Sequence, residues 1–163
     1  MKTAVVFYSM FGNTEYAAEK IAAQLDADLI RVEPEKAYPT RGLRKFLVGG
    51  KGAVSKATPA LKPYQFEAEA YGRVVIGMPV WASSVTPPIN TFVKDNLEAL
   101  RGKKIAAFVS SKGGGPEKAL EKLRLALGID AFEAELSLIE PKGKPDAASE
   151  MRITAFCNAL KEE

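Results

Sequence analysis

The six residues Ser9-Met10-Phe11-Gly12-Asn13-Thr14 carry two hydroxyls, a carboxamide and a glycine, with no lysine among them. Immediately before them, Thr3 to Tyr8 is a short apolar block rich in β-branched and aromatic residues, which predicts a buried strand. After them, Ala18, Ile21, Ala22 and Leu25 recur at helical spacing within Glu15 to Leu25. The six residues therefore form a strand-to-helix turn. A helix N-terminus presents free backbone N–H groups and the positive end of the helix dipole, which together favour an anion. Ser9, Asn13 and Thr14 can add side-chain donors, and Gly12 lets the backbone approach closely. The chemistry this implies is capture of a phosphate. Neither G-x-x-x-x-G-K-[ST] nor G-x-G-x-x-G is present, which argues against a nucleoside triphosphate loop and a dinucleotide fingerprint. With no cation in the turn, a terminal monophosphate held by neutral donors is the expectation. An ordinary capped turn is the plain alternative.

Other residue types narrow the chemistry. Histidine is absent and cysteine occurs once, as Cys157. The usual zinc ligand, the commonest general base and any internal disulfide are thereby removed. No catalytic side chain and no metal site are expected. Cys157 lies on the apolar side of a helical pattern and reads as a buried structural thiol. Glu67 with Glu69 and Glu133 with Glu135 are spaced for one face of a strand, but without motif context they read as solvated surface.

The elements that must position the turn follow from periodicity. Strands are expected at Asp28 to Glu33, Arg73 to Gly77, Lys104 to Ser110 and Phe132 to Ile139. Pro87 to Leu100 and Pro116 to Leu127 read as helices, each opening on proline and ending before a glycine. Asp146 opens a last helix with an apolar face of Met151, Ile153, Phe156, Cys157 and Leu160. Strands such as Arg-Val-Val-Ile-Gly are nearly continuously apolar, as strands covered on both faces must be. The alternation predicts an α/β fold with a doubly wound, five-stranded parallel sheet and helices on both faces. In such sheets ligands bind beyond the carboxyl ends of the strands, where strand order reverses. Three loops meet that condition: Ser9 to Thr14, Met78 to Thr86 and Ser110 to Gly115.

At 163 residues and 47% hydrophobic, the chain suits one domain, spanning residues 1–163. No leader-like segment and no run of about 18 apolar residues occurs, so a soluble cytoplasmic protein without membrane contact is expected. One stretch breaks the alternation. Between Lys36 and Phe66 stand seven basic residues and no acidic one, leaving 16 basic against 20 acidic elsewhere. This basic, mostly irregular insertion, with a short helix expected around Leu43 to Val48, has two readings. It could dock an acidic redox partner or the phosphates of a pyridine nucleotide, or be a solvated loop burying Phe46, Leu47 and Tyr64. Nucleic acid is a poor fit, because the rest of the chain is net acidic and no aromatic-basic recognition motif occurs.

Ser-Met-Phe-Gly-Asn-Thr-Glu after an N-terminal strand resembles the phosphate loop of flavodoxins, which bind flavin mononucleotide (FMN). The stretch from Val74 through Met78, Pro79, Val80 and Trp81 to Phe92 is similar to that family's third strand and flavin-flanking loop. Ala106 to Leu120, with Ser111, Gly113 and Gly114, resembles its fourth strand and glycine-rich loop. The resemblance covers nearly the whole chain and implies a flavodoxin-like sheet in the order 2-1-3-4-5. It implies that Ser9, Phe11, Gly12, Asn13 and Thr14 hold the phosphate, while Pro79, Val80, Trp81, Ser111, Gly113 and Gly114 line the ring. A flat, largely apolar ring needs an aromatic face and close backbone amides, which agrees with that assignment. Trp81 as plain core is the alternative.

Two features depart from the flavodoxins that only shuttle electrons. The loop Ser110 to Lys118 offers no aromatic residue to cover the outer flavin face, and the sequence pI is about 8.9 rather than acidic. An electron carrier between redox partner proteins is the first expectation. An FMN-dependent reductase taking hydride from NAD(P)H and passing electrons to a quinone is the rival. A nucleotide-monophosphate binding module without redox chemistry is the third.

Overall fold

The computed structural model describes residues 1–39 and 57–162. The helix expected around Leu43 to Val48, with Phe46, Leu47 and most of the basic insertion, lies outside the described residues.

Five strands, β1 (Thr3–Phe7), β2 (Asp28–Arg31), β3 (Arg73–Pro79), β4 (Lys104–Ser111) and β5 (Glu135–Ile139), form one sheet in the order β2-β1-β3-β4-β5. All four pairings are parallel. Four helices among the described residues cover it: α1 (Asn13–Leu25), α2 (Pro87–Leu100), α3 (Pro116–Leu127) and α4 (Ala147–Lys161). The period of two along β1 sends Ala4 and Val6 to one face and Val5 and Phe7 to the other. The first face packs on Ile89, Phe92 and Val93 of α2 and Leu120 and Leu123 of α3. The second packs on Ala18 and Ile21 of α1 and Ile153, Phe156 and Cys157 of α4. Burial on both faces explains why the strands carry continuous apolar runs. From β1 the chain leaves to β2 on one side and returns to β3 on the other, so the crevice opens at the carboxyl ends of β1 and β3.

Details differ from the sequence expectation. β2 ends at Arg31, after which the chain pairs antiparallel with the returning segment: Pro34 bridges Leu61, and Lys62 N–H donates to Glu33 O at 2.8 Å. β5 starts at Glu135 rather than Phe132, and Glu133 is not solvated. Its carboxylate grips Arg73 in a two-pronged ion pair, at 2.6 and 2.7 Å, with side-chain exposures of 8% for Arg73 and 13% for Glu133. Arg73 opens a central strand, and a guanidinium that deep needs a carboxylate beside it. Met151 is exposed, because two residues along a helix from Ile153 is nearly the opposite side.

In the described part of the insertion, Tyr64 and Phe66 fold back onto the core. Phe66 stacks on Tyr71 and meets Phe92 edge-on, and the Tyr64 hydroxyl accepts from Asn96 Nδ2 at 3.0 Å.

Candidate functional site

The first turn is built around Gly12, whose φ of 93° is the left-handed conformation that glycine adopts without penalty. Ser9 Oγ closes the turn from inside by accepting from Gly12 N–H at 3.2 Å and Glu15 N–H at 3.1 Å. The Arg31 guanidinium braces it from β2. It donates to Ser9 O at 3.1 Å and pairs with Glu15 at 2.8 Å and Glu33 at 2.9 Å. The amides of Asn13 and Thr14, the first two residues of α1, have no intrahelical partner and remain available. Thr14 Oγ1 lies 2.8 Å from Ser110 Oγ in a buried contact that ties the helix start to the end of β4. Asn13 Oδ1 accepts from Lys142 N–H at 2.9 Å, which leaves its amide NH2 as the donor.

Beyond β3 the chain makes a tight reversal. Trp81 and Ser84 pair across Ala82 and Ser83, both left-handed, with φ of 49° and 55°. Two-residue reversals of this hand normally carry Asn or Gly, so Ala and Ser here hold strained backbone. The surroundings fix it. Val80 N–H donates to Ser110 O at 2.8 Å, Lys122 Nζ donates to Ser84 Oγ at 2.7 Å, and a side chain at Gly115 would run into Ser83.

Trp81 is 6% exposed and stands edge-on to two tyrosines, with ring centroids 5.6 Å from Tyr8 and 5.4 Å from Tyr38. It belongs to the core cluster and also lines the crevice. Burial pushes the Tyr8 phenol well above its ordinary range, with Tyr38 adding to the effect, so Tyr8 stays a neutral hydroxyl.

Together these loops enclose a cavity of about 420 Å³ at the carboxyl ends of β1, β3 and β4. Ser9, Phe11, Asn13 and Thr14 line one end, Pro79, Val80 and Trp81 one wall, and Ser111 and Gly114 the other. Two of the expected residues do not line it. Gly12 turns its Cα away toward Lys142, and Gly113 faces open space. Six further residues also line it: Met10, Ala82, Ser83, Ser110, Lys112 and Gly115. All lie in the three loops marked from the sequence. Tyr38 had no signal in the sequence, since it sits in the irregular insertion and reaches Trp81 only through the fold. Phe11, 54% exposed, stands at the rim.

A wider depression of about 530 Å³ runs along β2 past Lys2, Asp28 and Tyr71. Three of its polar groups are spent on each other, because Asp28 pairs with Lys2 at 2.8 Å and accepts from the Tyr71 hydroxyl at 2.7 Å. Among the described residues, no group of three or more His, Cys, Asp or Glu could hold a metal, and no helix is long and apolar enough to cross a membrane.

The fold and the crevice define a doubly wound α/β protein whose main crevice lies at the switch between β1 and β3. The family model described as Flavodoxin matches residues 2–139, and the chain belongs to the flavodoxin family. No curated protein sequence matches it significantly. Among solved structures, it is similar to a candidate flavoprotein from Bacteroides eggerthii, at 24% identity and TM-score 0.77, with 99% of each chain covered. A flavoprotein from Lactobacillus acidophilus, in complex with FMN, aligns at 22% identity and TM-score 0.64 over 86% of this chain and 94% of that one. The two-electron reduced flavodoxin of Megasphaera elsdenii aligns at 17% identity and TM-score 0.61 over 98% and 99%.

Proposed function

We propose that the crevice binds FMN, with the phosphate at the α1 turn and the ring between the Trp81 and Ser110 to Gly115 loops, and that the protein carries electrons between redox partner proteins in the cytoplasm. The observation that carries this reading is the cavity's polarity. One end offers the open amides of Asn13 and Thr14 with the hydroxyls of Ser9 and Thr14, and the far walls offer Pro79, Val80, Trp81 and glycine backbone. A phosphomonoester joined to a flat apolar ring matches that donor set, and about 420 Å³ lies in the range of cofactor clefts. When bound, the flavin supplies the electron-transfer chemistry. The chain's own residues supply position and electrostatics. The strained Ala82-Ser83 turn holds the Trp81 wall, the Thr14 to Ser110 contact fixes the phosphate end relative to β4, and no side chain need act as acid or base.

A second reading, an FMN-dependent NAD(P)H:quinone reductase, is favoured by one feature. Lys112, Gly113 and Gly114 are exposed and put no aromatic ring over that side of the crevice, which leaves room for a planar substrate. The purified protein loaded with FMN separates the two. Rapid bleaching by anaerobic NADH or NADPH alone supports the reductase. No reaction with nucleotide, followed by two resolved one-electron steps on dithionite titration, supports the carrier. Absence of any flavin affinity overturns both.

A further inference from the structure

The turn that holds the phosphate end carries no cation of its own, but the fold brings one to it from 130 residues away. Lys142 lies between β5 and α4, in a turn anchored at three points. Glu140 N–H donates to Ser111 O at 3.0 Å, and Lys142 and Gly143 N–H donate to Asn13 Oδ1 at 2.9 and 3.4 Å. Glu140 itself is left-handed, with φ of 40°. So anchored, the turn sets the Lys142 ammonium against Gly12. A Cβ built at Gly12 would lie 2.8 Å from Lys142 Nζ, which shows how near the ammonium stands, and the φ of 93° there favours glycine.

That placement is unfavourable as it stands. An ammonium at the N-terminus of α1 adds positive charge where the helix dipole is already positive. The neighbouring carboxylates are committed elsewhere: Glu15 to Arg31 at 2.8 Å and Glu140 to Lys144 at 3.2 Å. Among the described residues Lys142 makes no ion pair, whereas the other cation at the turn, Arg31, is matched by both Glu15 and Glu33. Lys142 does not line the cavity, but its ammonium stands against Gly12, the residue before the open amides, and the positive potential it adds at the helix start favours an anion.

We propose that Lys142 is the counter-cation of the phosphate site and sets the preference of this protein for a dianionic phosphomonoester over a neutral flavin. The inference rests on the reading of the crevice as an FMN site and adds to it a specificity-determining charge. A phosphomonoester carries a charge of about −1.5 to −2 at pH 7, so one ammonium nearby strengthens its binding and leaves an uncharged ligand untouched. The effect is electrostatic and near the surface, so salt weakens it.

The test compares dissociation constants of FMN and riboflavin for the wild type, Lys142→Met, which keeps the stem and removes the charge, and Lys142→Arg, which keeps the charge. At low salt, Lys142→Met is expected to lose about fivefold to tenfold in FMN affinity and nothing in riboflavin affinity, with Lys142→Arg close to wild type. In about 1 M salt, where the screening length is about 3 Å, the wild type and Lys142→Met should converge on FMN. If the wild type prefers FMN to riboflavin and Lys142→Met binds FMN equally well at low salt, the inference falls and the phosphate reading stands. Equal loss of both flavins in Lys142→Met also overturns it, since that is the mark of a deformed loop. If the wild type does not distinguish FMN from riboflavin, the phosphate reading falls and takes the inference with it.

Discussion

Thr14 Oγ1 and Ser110 Oγ lie 2.8 Å apart in a buried contact across 96 residues, joining the first turn of α1 to the carboxyl end of β4. The pair fixes the α1 end of the crevice relative to the loop that lines its other wall. Thr14→Val keeps the shape but leaves the Ser110 hydroxyl buried and unpaired, at a cost of about 1–3 kcal/mol in urea unfolding. The double change with Ser110→Ala should recover part of that, since both polar groups are then gone. FMN affinity should fall more than riboflavin affinity in Thr14→Val. Equal loss of both flavins would remove Thr14 from the phosphate site.

Trp81 is the one tryptophan of the chain and lines the crevice, so its fluorescence reports on the site. Titration with FMN should quench it to saturation at one equivalent. Because Trp81 also packs between Tyr8 and Tyr38, Trp81→Ala should cost about 3–5 kcal/mol of stability, and Trp81→Phe substantially less. An unquenched tryptophan in protein that has visibly taken up flavin would place the ring away from this wall.

How far the sequence reaches differs between levels of structure. The sheet was legible because a strand buried on both faces must be apolar throughout, as Val74 to Ile76 are, and because proline and glycine mark both ends of α2 and α3. The Ser9 to Thr14 turn was legible because its hydroxyls, carboxamide and glycine lie within six consecutive residues. What escaped is what the fold assembles from a distance. Tyr38 meets Trp81 from an irregular segment, Glu133 meets Arg73 across the sheet, and Lys142 meets Gly12 from the other end of the chain. None of these contacts leaves a periodic trace, since each depends on where two separate loops come to rest. The sequence reading counted no cation at the turn because it took in only residues adjacent in sequence, whereas the fold sets Lys142 against Gly12.

Gly77 stands opposite Phe108 in the register of β3 and β4, and a Cβ built there would run into the Phe108 ring. Phe108 is fully buried against α1 and α4, so it has little room to yield. Gly77→Ala should therefore destabilise by about 1–3 kcal/mol, although alanine is the better residue for an ordinary strand. Pairing it with Phe108→Leu, which vacates the space, should offset part of the loss. A neutral Gly77→Ala in urea unfolding would show that the sheet spreads locally to admit the methyl.

Cys157 gives the fold a pH dependence on the alkaline side. Burial on the inner face of α4 pushes its thiol up from 9.0 to about 11, with Lys161 pulling weakly the other way. In the unfolded chain the thiol ionises near its ordinary value, while the folded chain holds the proton until about pH 11. Between those values the unfolded state binds fewer protons, so stability falls as pH rises, by roughly 2–3 kcal/mol across the window from this group. Below pH 8 both states are protonated and the contribution is complete. Urea midpoints of the wild type and Cys157→Ala, measured from pH 7 to 11, should differ in slope above pH 9 and run parallel below it. The same burial predicts that a thiol reagent at pH 8 labels Cys157 only at the rate of unfolding or local opening, so prompt labelling of the native protein would contradict the buried placement.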